Sequence, residues 1–172
     1  MALDLVDLDD KTRVHMVAEL ERDVGAGTLY EGKDLSELGR ERYPGLLREA
    51  LETGDDSQLE TRLAEPGIFN EMGLRQGKPV KVPVNAPQRL AEGEFNRFYI
   101  RGLCLRALDE GKTTVVVYRA RPSSSPRRES EELVGSAIDA KALLDDLRES
   151  PGVDTALGLP PGPNSGLSAR LP

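Results

Sequence analysis

The sequence predicts an α+β (or α/β) fold in which short N-terminal helices pack with a small sheet and one long central helix. Three observations lead there. Up to residue 65, apolar residues recur at helical spacing between capping residues and Gly or Pro stops. A long helical stretch from Gln88 to Glu110 follows, ended by Gly111. Thr113 to Arg119 (TTVVVYR) is then β-branched and nearly uninterrupted, as a strand buried on both faces would be.

The first helix begins near Lys11, capped by Asp9 or Asp10, and stops at Gly25 and Gly27. Ser36 can cap a short helix from Glu37 to Arg42. Pro44 then opens another, whose apolar stripe Leu46, Leu47, Ala50 and Leu51 ends at Gly54. Asp55 or Asp56 starts a third, carrying Leu59 and Leu63 and ending before Pro66-Gly67. Residues 66–79 read as a loop.

Val80-Lys81-Val82-Pro83-Val84 alternates as a strand does, and Pro83, which has no N–H to donate, places it at an edge. Asn85 caps the long helix, with Pro87 in its first turn. Strand, helix and strand over about 80–120 form a plausible right-handed crossover, with a hairpin-based arrangement as the competitor. Arg121 to Arg128 is a polar loop, Glu132 to Ile138 a short strand, and Asp139 caps a last helix stopped by Pro151-Gly152. The expected organisation is one domain, 1–157, with an acidic helical part (1–65) and a basic α/β part (78–150). A Pro/Gly-rich C-terminal arm, 158–172, follows it, either flexible or laid over the domain.

Composition narrows the classes. Charged residues make up 31% and apolar ones 38%, as in a globular protein. Cys104 is the single cysteine, so no intrachain disulfide forms. No secretory leader opens the chain and no apolar run is long enough to span a bilayer, so the expected location is cytoplasmic and no membrane partner is expected. Six Lys stand against seventeen Arg, a skew of high-GC genomes that hints at a bacterial source.

Charge is uneven. Residues 1–77 hold nine Lys and Arg against eighteen Asp and Glu; residues 78–128 hold eleven against four; residues 129–172 hold three against eight. A basic block thus lies between two acidic ones and could be read by a partner, unless the blocks neutralise one another inside the fold.

Catalytic groupings are sparse. His15 and Cys104 lie on different helices, which argues against a soft-metal site, and no metal or other cofactor is expected. Asp4, Asp7, Asp9 and Asp10 lack the mid-loop Gly and closing Glu of a calcium loop and read as a helix-capping terminus. No phosphate-binding glycine motif and no G-x-S-x-G elbow is present.

The long helix holds the more specific candidates. On a 100° wheel, Phe95, Phe98, Tyr99 and Leu103 share an apolar face, while Glu94, Arg97, Arg101 and Asp109 fall opposite, as a solvated face does. Glu92, Asn96 and Arg106 intrude on the apolar arc, where a charge must be paired, line a cleft or sit on a protruding helix end. If Glu92, Tyr99 and Arg106 share a pocket, Glu92 is the candidate general base, and Arg106 or Arg119 orients an anionic substrate. The loop that follows, with Arg119, Arg121, Arg127 and Arg128 among three Ser, suits phosphate or carboxylate contact.

Three readings follow. The leading one is a non-catalytic binding or assembly module whose basic central segment (Arg97, Arg101, Arg119, Arg121, Arg127 and Arg128) docks an acidic protein partner or nucleic-acid phosphates. The second is a metal-independent enzyme acting on a small anionic substrate in an Arg/Glu/Tyr-lined pocket. The third is a structural subunit of a larger particle, with homo-oligomer formation through the C-terminal arm.

Overall fold

A computed structural model describes residues 2–152 and 166–172. The element order is α1 (Asp10–Ala26), α2 (Glu37–Thr53), α3 (Asp56–Leu63), β1 (Met72–Arg75), β2 (Lys78–Lys81), α4 (Ala86–Asp109), β3 (Thr114–Arg119), α5 (Arg128–Leu133), β4 (Ala137–Asp139), α6 (Ala140–Glu149) and β5 (Leu167–Arg170). The fold is mixed α+β, with α4 at its centre. Helices α1, α2, α3 and α6 pack on α4, as do strands β3 and β5.

Short acceptor side chains start the helices as their chemistry dictates. Asp9 accepts from the Thr12 amide at 3.1 Å, Ser36 from Gly39 at 2.9 Å, Asp55 from Gln58 at 2.8 Å and Asp139 from Ala142 at 2.7 Å. Asn85 precedes α4 but makes no such bond; Pro87 in the first turn sets the helical φ instead. Gly27 closes α1 in the left-handed region (φ 68°), where a side chain would be strained. Helix α1 crosses α4 closely at Gly102, where an added Cβ would lie 2.7 Å from the Met16 side chain and 2.9 Å from its amide nitrogen.

The sheets correct several expectations. Strands β2 and β3 belong to different sheets, so no crossover unit exists. Strand β2 pairs with β1 in an antiparallel hairpin, and β3 lies between β4 and β5, antiparallel to both. The β1–β2 hairpin occupies most of the predicted loop, and its strand residues are 78–81 rather than 80–84. Positive φ at Gln76 (52°) and Gly77 (76°) makes a two-residue turn whose twist matches the flanking strands.

The helices expected around 37–42 and after Pro44 are one helix, with Pro44 inside it. The predicted strand over 132–138 is largely α5, with β4 limited to Ala137–Asp139. Strand β3 alternates instead of being buried on both faces: Val115 and Val117 are buried, while Thr114, Val116 and Tyr118 are half-buried.

Both ends of the described chain are fastened to this sheet. Leu167, Ser168 and Ala169 of β5 are buried, and Val117 faces Ala169 across the ladder. Asn96 of α4 donates to the Leu167 carbonyl at 2.8 Å and accepts from the Ser168 hydroxyl at 2.7 Å, which covers the far side of β5. The last part of the predicted arm is therefore a strand of the chain's own sheet; residues 158–165 lie outside the described residues. At the other end, Asp4 donates its amide to Ala120 at 2.9 Å and accepts from the Tyr118 hydroxyl at 2.6 Å. Asp7 accepts from the Leu171 amide at 2.9 Å.

Candidate functional site

Most arginines of the central block point inward or are held by carboxylates. The largest departure from the sequence reading is at Arg97 and Arg101, expected on a solvated face: Arg101 is 0% exposed and Arg97 5%. Arg101 grips α1, donating to Glu19 at 2.7 Å and to both oxygens of Asp23 at 2.7 and 2.8 Å. Arg148 of α6 reaches the same Glu19 at 2.5 and 3.0 Å. Arg97 binds Glu94 at 2.6 and 3.1 Å and the Leu147 carbonyl at 3.3 Å. The Phe98 ring packs under both guanidiniums, at 4.9 Å from Arg97 and 4.8 Å from Arg101.

Three carboxylates and three guanidiniums thus join α1, α4 and α6 into one neutral cluster. Charges can lie this deep only when paired and hydrogen-bonded. Burial works against ionisation of Glu19, but Arg148 and Arg101 hold its carboxyl below the ordinary value. At Glu94 burial wins over Arg97, and its carboxyl is raised. Near this cluster Tyr43 is fully buried, and its hydroxyl has no hydrogen-bond partner among the described residues.

The candidate enzyme residues are not brought together. Glu92, Tyr99 and Arg106 sit seven residues apart on α4, a rise of about 10 Å at each step, and each has a different partner. Glu92 is buried and accepts from Gln88 at 2.9 Å and from Arg121. The Tyr99 hydroxyl accepts from the Asp7 amide at 3.2 Å, and burial raises its pKa. Arg106 donates to both oxygens of Asp9 at 2.9 Å, to the Thr12 hydroxyl at 3.0 Å and to Glu110 at 2.9 Å. The pairing with Arg106 and Lys112 draws the Glu110 carboxyl down to about 2. Cys104 is buried, and the apolar surroundings push its thiol up to about 12, which leaves it protonated and unreactive at neutral pH. Among the described residues, no group of three or more His, Cys, Asp or Glu converges as a metal site.

Beyond α4 the pattern continues. Arg119 donates to Glu131 at 2.8 Å, Arg121 to Glu92, and Arg128 to Glu132 at 2.8 Å. Arg128 is the outermost, 89% exposed, so its bond to Glu132 is screened by water and weak. Arg127 also makes an interaction. The acidic flanks and α4 itself therefore supply the counterions for most of the basic block.

The uncompensated charge lies elsewhere, on the β1–β2 hairpin, which sequence reasoning passed over as a loop. Lys78 and Lys81 are exposed, and among the described residues neither forms an ion pair. The register pairs Met72 with Lys81 and Leu74 with Pro79 on one face, and Gly73 with Val80 and Arg75 with Lys78 on the other. The second face turns toward the body. An added Cβ at Gly73 would lie 2.6 Å from Asp34, and Arg75 clamps Asp34 at 2.8 and 3.2 Å, drawing that carboxyl below its ordinary value.

The first face is open, with Met72 53% and Leu74 66% exposed. Val80 and Val84, near the hairpin, are also exposed. The signal in the sequence was the Gln76-Gly77 turn between two short runs carrying Met72, Leu74 and Val80.

Among the described helices none is long and apolar enough to cross a membrane. Comparison with protein-family models, with curated proteins and with solved structures found no match for this chain.

Proposed function

We propose that this chain is a non-catalytic binding or assembly module that docks an acidic partner, a protein or the phosphates of a nucleic acid, through its basic central segment. In this reading the contact charge is carried first by Lys78 and Lys81 on the hairpin and only secondarily by Arg127 and Arg128. One observation carries the proposal. The guanidiniums of Arg97, Arg101, Arg106, Arg119 and Arg121 each hold a carboxylate of the same chain, whereas the exposed ammonium groups of the hairpin hold none. An unneutralised cation beside exposed apolar side chains suits a surface awaiting a counter-surface.

The test is binding of two polyanions, duplex DNA and polyglutamate, followed by fluorescence anisotropy over a salt series. The expected result is binding to at least one, weakening steadily as salt rises. Lys78→Glu with Lys81→Glu should abolish it, and Arg127→Ala with Arg128→Ala should weaken it less. Failure of both polyanions to bind at low salt, with the protein folded, would sink the proposal.

A further inference from the structure

We infer that the partner is a protein, and that it covers the open face of the hairpin with an acidic amphipathic helix. This rests on the binding-module reading and narrows its partner class. A two-stranded ribbon is marginal by itself and gains stability when a helix or further strands cover it. Here the body of the protein covers only the face carrying Gly73 and Arg75. The other face presents Met72, Leu74 and Pro79, with Lys81 beside Met72 and Lys78 next to the turn.

Strand addition at either edge is disfavoured. The two-residue turn makes Arg75 and Lys78 a hydrogen-bonded pair, so residues 72, 74, 79 and 81 direct their backbone groups outward. On β2, Pro79 has no N–H to offer there. On β1, the outward carbonyl of Leu74 already accepts from the Arg75 guanidinium at 3.2 Å. What remains is the face, and its chemistry is mixed.

Nucleic-acid phosphates would satisfy Lys78 and Lys81 but leave Met72 and Leu74 wet. A helix with an apolar stripe fits over Met72, Leu74 and Pro79, and carboxylates flanking that stripe meet the two ammonium groups. Charge complementarity therefore chooses an acidic helix over a basic one, and the apolar side chains choose a protein over a polyphosphate.

Three probes separate the outcomes in anisotropy titrations against the full chain. One is a synthetic helical peptide with leucines at i, i+3, i+4 and i+7 and glutamates elsewhere. The second is the same peptide with serine for leucine, and the third is duplex DNA. The leucine peptide should bind at least tenfold more tightly than the serine peptide, and Met72→Ser with Leu74→Ser should erase that preference. Lys78→Glu with Lys81→Glu should weaken the leucine peptide tenfold or more. DNA binding without leucine-peptide binding overturns this inference and leaves the binding-module reading standing. Equal affinity for the two peptides overturns the apolar part of the contact, and hence the inference. Silence from all three overturns both. These side chains are exposed, so the variants should fold, which circular dichroism verifies.

Discussion

Two basic regions of this protein meet opposite fates. In the cluster joining α1, α4 and α6, Arg97 and Arg101 are sealed among carboxylates and contribute to the architecture. On the β1–β2 hairpin, Lys78 and Lys81 keep their charge in water beside Met72 and Leu74. The residue types suit the difference. A planar guanidinium makes several directed bonds at once and tolerates burial, whereas an ammonium on a flexible stem is strongly hydrated and stays outside. Local positive charge in a sequence thus does not locate a docking surface; the availability of internal carboxylates does.

The contrast breaks most readily at Arg101. Replacing Arg101 with Leu leaves Glu19 and Asp23 buried with too little counter-charge, and the expected loss is about 3–5 kcal/mol by urea denaturation. A loss below about 1 kcal/mol would mean that the cluster is not organised around Arg101.

Acid unfolding tests the same cluster by sign. Glu19 lies below its ordinary value of 4.5 in the fold, so its contribution is present above that value and is lost as pH falls through the folded one. Glu94 is raised, so its contribution is present below its ordinary value and disappears as pH rises through the folded one. The melting temperature of Glu19→Gln should therefore depend less on pH in the acid range than that of the parent, and that of Glu94→Gln more steeply. The reverse order would contradict the pairing described.

Tyr43→Phe is expected to be neutral or to stabilise by about 1 kcal/mol, because the hydroxyl it removes is buried without a partner. Calorimetry reads this directly, and a clear destabilisation would reveal a bond to that oxygen. The smallest effect belongs to the hairpin: Leu74→Ser should change stability by less than about 0.5 kcal/mol, as for an exposed side chain outside the core. A larger loss would show that the open face is already covered.

The helices were legible because their signals are local. Asp9, Ser36, Asp55 and Asp139 start them and Gly27 stops α1, each through bonds to neighbours within a turn. The acidic N-terminus was legible only in part. Asp9 caps α1 as read, but its second role, binding Arg106, and the capture of the Leu171 amide by Asp7 span 97 and 164 residues. The helical wheel of α4 failed for a different reason. It assumes one buried face, while α4 is enclosed by α1, α3 and α6 with strands beside it, so its polar side is buried too.

The sequence by itself determined the caps, the long central helix, the β-branched strand and the mixed α+β class, because propensity and capping act over a few residues. Only the tertiary structure decided which strands pair, where β5 returns, and which of the eleven cations between residues 78 and 128 keep their charge available. Those outcomes depend on contacts between residues far apart in the chain. A carboxylate neutralises whichever guanidinium the packing sets beside it, and a face is exposed only when no other element arrives to cover it.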